Sequence, residues 1–170
     1  MFYSVKSAIE YIESQRHKRT IEDFQKTLDE LHINVHQKNM IHIAGTNGKG
    51  STVNYLRAIL NAHGYKVGTF TSPYLVKHND RICIDGTPIS DTALLYYINK
   101  YHDVIEREHL SMFEIDTLIM LDYFDTQPLD FRIIECGIGG EHDKTNVIDS
   151  KISAITNIGM DHIEQIGPTL

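Results

Sequence analysis

The sequence predicts an α/β fold, a mostly parallel sheet flanked by helices on both faces. Three observations predict it. Short apolar runs at 40–44, 66–71, 131–136 and 152–157 read as strands covered on both sides. Stretches with apolar residues at helical spacing separate those runs, the order that feeds parallel strands through crossover helices. A glycine-rich segment, 45–52, joins the first run directly to a helix.

Each element has its own justification. Residues 4–16 and 21–32 read as amphipathic helices. The second carries Ile21, Phe24, Leu28 and Leu31 on one face, behind a Thr20-x-x-Asp23 start that resembles a capping box. The run 40–44 is the first strand and is expected at the centre of the sheet. A helix follows from about Ser51 to His63, with Val53, Leu56, Leu60 and His63 on one face and Gly64 as its stop. After the strand at 66–71 comes an irregular stretch, 72–90, rich in turn formers, in which 81–84 makes a short extended piece. Residues 91–108 form a helix with Leu94, Ile98, Tyr101 and Ile105 in a stripe. Residues 112–125 form another, apolar on most faces and therefore buried. The runs 131–136 and 152–157 complete the pattern as two more buried strands.

Bulk properties narrow the function classes. A chain of 170 residues is long enough for one domain with a sizeable core. Its formal net charge of −7 argues against nonspecific binding to nucleic acid or to anionic membranes. A local phosphate site needs only a few positive groups and stays open. No stretch is apolar enough to cross a bilayer, and charges interrupt the N-terminal residues where a signal peptide would need an apolar centre. Cys83 and Cys136 stand far apart without metal-ligand spacing, which suits a reducing cytoplasm and a role as small buried hydrophobes.

In open α/β sheets ligands gather at the carboxyl ends of the strands, where the unusual residues of this sequence fall. After the first strand comes Gly45-Thr46-Asn47-Gly48-Lys49-Gly50-Ser51-Thr52. Glycines let the backbone turn successive N–H groups toward an anion, the helix N-terminus adds partial positive charge, and Lys49 adds a full one. This is phosphate-loop chemistry in a strand–loop–helix context, although the strict G-x-x-x-x-G-K-[ST] pattern is absent because residue 43 is Ile and residue 50 is Gly. Glu135 is the polar exception near the end of the 131–136 strand. A carboxylate there needs a cation, and magnesium beside the phosphates is a natural one; a structural ion pair is the bland alternative. Asp161 and His162 follow the last strand. Three strand ends converging with phosphate- and metal-binding groups favour a functional site over three coincidences.

Taken together, GTNGKGST (45–52), the Glu135 strand end and TNIGMDH (156–162) resemble the central domain of the ATP-dependent Mur ligase superfamily. Its folylpolyglutamate/dihydrofolate synthase branch is marked further. Gly50 follows the loop lysine where cell-wall ligases usually carry a hydroxyl. TSPYL (71–75), Asn79-Asp80-Arg81-Ile82, Gly86-x-Pro88-Ile89-Ser90, Met112-Phe113-Glu114 with Thr117, and GIGG (137–140) before Asp143-x-Thr145-Asn146 are similar to that branch's segments and keep their order. The match runs from about residue 40 to the last residue. Glu141 departs from the Arg often found there, and Asp80 replaces Glu. Leu170 falls inside a G-P-T-L-x-x-I segment, after which the family continues with a metal-assisting lysine, adenine contacts and a C-terminal Rossmann-like domain. Residues 1–170 are thus expected to be the N-terminal part of a Mur-ligase-like ATP-binding domain, incomplete at its C-terminus.

The resemblance implies a reaction: a folate carboxylate takes the γ-phosphoryl group of ATP, and the amine of L-glutamate displaces phosphate to form an amide. It implies that Thr46, Asn47, Gly48, Lys49, Gly50, Ser51 and Thr52 hold the nucleotide, with Lys49 on the β- and γ-phosphates. It implies that Ser51, Ser72 and Glu135 hold one Mg²⁺ and His162, neutral, a second. Lys49, Glu135 and His162 would then carry catalysis. The 72–90 loop with Arg81, and Phe113, would form the folate side of the cleft, and Asp143 and Asn146 would pin their own loop. The expected partners are dihydropteroate or tetrahydrofolate and L-glutamate, with no nucleic acid and no membrane, in a cytoplasmic enzyme monomeric at full length. Rival readings are a cell-wall or cyanophycin-type ligase, a nucleotide-binding module without catalysis, and an inactive fragment prone to aggregate through an open sheet edge.

Overall fold

The computed structural model describes residues 1–168. The closing two residues of the G-P-T-L segment lie outside them. A six-stranded sheet runs β4-β3-β2-β5-β1-β6, where β1 is Met40–Ala44, β2 Val67–Phe70, β3 Ile82–Ile84, β4 Thr87–Pro88, β5 Phe131–Glu135 and β6 Ile152–Ile155. Pairings β2/β5, β5/β1 and β1/β6 are parallel, and β2/β3 and β3/β4 are antiparallel. The fold is therefore the expected one, mostly parallel with helices on both faces. The strand at 40–44 is interior but not central: β2 and β5 hold the middle, and β1 stands next to the β6 edge.

Period-two alternation sorts the strand residues between two cores. Ile41, Ile43, Val67 and Ile133 pack with Val53, Leu56 and Leu60 of α3 (Lys49–Ala62). Met40, Phe70 and Ile134 face the larger core, shared with α1 (Val5–Ser14), α2 (Ile21–Glu30), α4 (Asp91–Glu108) and α5 (Met112–Asp125). Thr20 caps α2 at the expected start, accepting from Asp23 N without the reciprocal bond of a full capping box; Ser90 accepts from Ala93 N, and Ser111 with Glu114 closes a capping box on α5. Helix α5 is buried nearly all round, as its composition predicts. Helix α3 starts at Lys49 rather than Ser51, because Gly48 takes the left-handed conformation at φ 80° and lets the first turn begin immediately. His63 is exposed beyond its end instead of joining the apolar face.

A further expectation is overturned. The 152–157 strand is not buried: Ile152 and Ile155 are 55 % and 64 % exposed. The reason is its place at the edge, paired only to β1, with no described residue covering its outer side. Ile158, Met160, Ile163 and Ile166 continue this apolar strip into the short helix α6 (Ile163–Ile166). Open strand edges and contiguous apolar surface drive association. The 170-residue chain is therefore expected to elute above its monomer mass in size-exclusion chromatography with light scattering. Ile155→Lys should shift it toward monomer; unchanged, monomeric elution of both chains contradicts this reading.

Candidate functional site

The phosphate-like loop is held from outside itself. Just after β6, the backbone O of Asn157 accepts from Thr46 N at 3.0 Å and its Oδ1 accepts from Asn47 N at 2.9 Å. Thr156 Oγ1 donates to Asn47 O at 2.7 Å, and Gly159 N donates to Thr46 Oγ1 at 2.9 Å. Thr156 and Asn157 thus brace the loop. Sequence reading assigned them no role, although two polar residues ending an apolar strand were a usable signal. Within the loop, Lys49 Nζ donates to Gly45 O at 2.7 Å and Thr46 O at 3.3 Å, which folds the lysine over the loop mouth. The N–H of Asn47 already has a protein acceptor, so it is not free in this structure for an anion.

Glu135 ends β5 beside this loop, 4 % exposed. Its Oε2 accepts from Ser72 N at 3.1 Å. Burial raises its pKa above the ordinary carboxylate range; the Ser72 N–H, the Lys49 charge and the Gly50 N–H oppose that and do not cancel it. A Cβ on Gly50 would stand 3.3 Å from Oε2, so a side chain there presses on the carboxylate. His162, exposed and at φ 47°, has Nε2 3.7 Å from Asp161 Oδ2. It lines a cavity of about 310 Å³ with Thr46 and Lys49, and a cleft of about 820 Å³ with Ser72, Arg81 and Phe113. Loop, Glu135 and His162 therefore lie at the same end of the strands. Ser51 sits exposed in the first turn of α3, and Thr52 Oγ1 donates back to Gly48 O at 2.8 Å.

The loop between the cavities is built on one side chain. Asp143 Oδ2 accepts from Gly137 N at 3.0 Å and Ile138 N at 2.9 Å, and Oδ1 accepts from Thr145 N at 3.0 Å. Asn146 adds a weaker tie to Glu141 O at 3.1 Å. Asp143→Ala leaves three backbone donors without their acceptor and should destabilise the fold by about 2–4 kcal/mol in chemical denaturation. A loss under about 1 kcal/mol would show the loop to be held by other contacts. His42, Cys136 and Asp143 also present ligand-type atoms within 4.8 Å of one another, a grouping invisible in the sequence. The Asp143 oxygens are already occupied, His42 Nε2 lies 2.7 Å from Thr145 Oγ1, and burial pushes the Cys136 thiol up to about 12. Hydrogen bonds account for the Asp143 oxygens and for His42 Nε2 in that cluster. Cys136 is buried as expected, while Cys83 is only half-buried.

Sequence reading also missed Asp116. It is a buried acid near the start of α5, 1 % exposed, with Arg81 Nε 3.4 Å from its Oδ2. A carboxylate among the buried residues of a mostly apolar helix was the available clue.

Comparison with known proteins agrees with this geometry. The Mur ligase middle domain matches residues 43–169. A dihydrofolate synthase/folylpolyglutamate synthase of Bacillus subtilis is 43 % identical over 136 residues, 76 % of this chain and 32 % of its own length. The solved FPGS-AMPPCP-folate complex superposes with TM-score 0.88 at 35 % identity, covering 98 % of this chain and 43 % of that one. A bifunctional folylpolyglutamate synthase/dihydrofolate synthase with Mn, AMPPNP and L-glutamate bound gives TM-score 0.82 at 33 % identity, over 98 % and 41 %. The chain thus spans about a third of the length of the curated relatives it matches. Strand order, loop and sequence match agree: this chain belongs to the Mur ligase family through its middle domain.

Proposed function

We propose that residues 1–170 are the N-terminal part of a Mur-ligase-type ATP-binding domain whose parent protein ligates L-glutamate to a folate. The observation that carries the reading is convergence. The loop of residues 45–52, buried Glu135, Ser72 and His162 meet at one end of the strands, and His162 lines both the cavity at Thr46 and Lys49 and the cleft walled by Ser72, Arg81 and Phe113.

The residues fit a nucleotide with a hard cation. Glu135 is a buried carboxylate whose ionisation burial opposes, so a cation beside it relieves that penalty. Ser51, Ser72 and Glu135 offer the oxygen donors that Mg²⁺ prefers, and His162 would ligate a second ion in its neutral form. Such ions neutralise the charge that develops on the transferred phosphoryl group. Lys49 and the N–H groups at the start of α3 would hold the β- and γ-phosphates, with Thr46, Gly48, Gly50 and Thr52 shaping the loop. Arg81 and Phe113 would receive the folate side, either dihydropteroate or tetrahydrofolate, and orient its carboxylate in line with the γ-phosphoryl group. Positioning and charge neutralisation suffice for that transfer. The acyl phosphate then reacts with the amine of glutamate, and water must be kept out meanwhile.

Among the described residues no helix is long and apolar enough to cross a membrane, and the net charge of −7 disfavours polyanions. The proposed parent protein is a cytoplasmic, monomeric enzyme that binds neither nucleic acid nor membrane, and the charge supports the last two.

The test is a ligation assay on the full-length protein with ATP, Mg²⁺, labelled glutamate and either folate substrate. Absence of folate-dependent phosphate release would refute the assignment. The 170-residue chain alone is expected to bind Mg·ATP weakly in calorimetry, because the loop is local, and to make no folylglutamate. Glutamate-dependent turnover by that chain would overturn this second expectation.

A further inference from the structure

Between β2 and β3 lies a charged cluster that phosphate chemistry does not use. His78 and Arg81 share one 3-10 turn and are 4 % and 5 % exposed. His78 Nδ1 stands 3.1 Å from Glu13 Oε1 of α1, and Nε2 stands 2.7 Å from Asp116 Oδ1 of α5. A neutral imidazole has one N–H, so it would turn a lone pair on one of these carboxylates. Only the imidazolium donates to both. Tyr74 donates to the same Glu13 oxygen at 3.0 Å, and its ring lies 5.4 Å from Arg81 Cζ. These are the charged and titratable groups facing His78: Glu13 from α1, Asp116 from α5, Tyr74 from the preceding loop and Arg81 from its own turn. Two carboxylates and two cations balance only while His78 is protonated.

The contact between Asp116 and Arg81 is loose. Asp116 Oδ2 and Arg81 Nε are 3.4 Å apart, and both are buried without a hydrogen bond. Asp116 is thus contested by two cations, and His78 holds it more closely. Arg81 meanwhile lines the cleft with Ser72 and Phe113.

We propose that His78 is a positioning residue for ligand binding: its imidazolium, clamped between Glu13 and Asp116, keeps Arg81 from being drawn onto Asp116 and so leaves the guanidinium available to the folate-side ligand. The proposal rests on the folate reading above. Deprotonation removes the positive charge that competes with Arg81 for Asp116, and the arginine closes the gap and withdraws from the cleft. Burial alone lowers the imidazole pKa, but the hydrogen bonds and charges of Asp116 and Glu13 outweigh it, against opposition from Arg81, and the net direction is upward. The clamp is therefore complete below the ordinary imidazole value and is lost as pH rises through the raised one.

The experiment uses the full-length protein, with 15N-labelled histidine NMR and steady-state kinetics on dihydropteroate and tetrahydrofolate between about pH 6 and pH 9. Both His78 ring nitrogens should carry protons at neutral pH. KM for the folate substrate should rise about tenfold as His78 titrates, with kcat and KM for ATP within about twofold. His78→Gln should show the raised KM at every pH, and His78→Lys, a permanent cation, should restore a low KM without the pH step. A neutral His78 at neutral pH overturns the proposal even if neither variant folds, and so does an identical pH profile in wild type and His78→Gln. If His78 is an imidazolium but neither folate substrate is turned over at any pH, the folate reading itself has failed and the role at the cleft falls with it.

Discussion

Glu135→Gln in the full-length protein is expected to lower magnesium-dependent turnover by about two to three orders of magnitude while leaving the fold intact. Glutamine keeps the shape and can still accept from Ser72 N, so the 3.1 Å bond has a successor. What disappears is the charge next to Lys49 and the loop. The sign of the stability effect separates this from mere damage. Burial raises the folded-state pKa of Glu135, so its stabilising contribution is fully present below the unfolded carboxylate value and is lost as pH rises through the folded one. Wherever the group is ionised without a cation beside it, its burial opposes folding. The variant should therefore be as stable as wild type or more so in chemical denaturation without ligand, yet gain less from Mg·ATP. Near wild-type turnover would make Glu135 structural and remove the metal assignment.

A comparably large effect is expected at Gly45, this time on stability. Gly45 sits at φ 131°, where an L side chain is strained, and an added Cβ would lie 2.1 Å from Thr156 Oγ1 and 3.0 Å from Asn157 O. Those two residues brace the loop, so Gly45→Ala strains the backbone and opens the seam between loop and β6. Strain and overpacking together should remove about 3 kcal/mol or more and weaken nucleotide binding. Gly48→Ala is the comparison: φ is 80°, nothing lies within 4 Å, and strain alone predicts about 1–2 kcal/mol. Equal losses at the two positions, measured by urea titration, would contradict the steric argument.

Much of this architecture was legible because it is local. Helices 91–108 and 112–125 match the bounds that their apolar residues predict, and the structure places Ser90 and Ser111 as their N-caps. The loop 45–52 could be read because glycines, a lysine and a following helix are contiguous. The residues bracing that loop were not legible as such. Thr156 and Asn157 lie more than 100 positions away and meet it only because β6 pairs with β1. The same pairing put β6 at an edge, which an apolar run by itself does not reveal.

The fold class and the match to the Mur ligase middle domain were carried by the amino-acid sequence, since each depends on neighbouring residues or their order. Tertiary structure alone decided which charges meet. His78, in a turn, stands 65 positions from Glu13 and 38 from Asp116, in two different helices, yet is within hydrogen-bond distance of both. Gly50 stands against Glu135 because β1 and β5 pair in register, Ile43 beside Glu135. Hydrogen bonding and burial act through space over a few ångströms, so the register of the sheet and the packing of its helices set which side chains become partners.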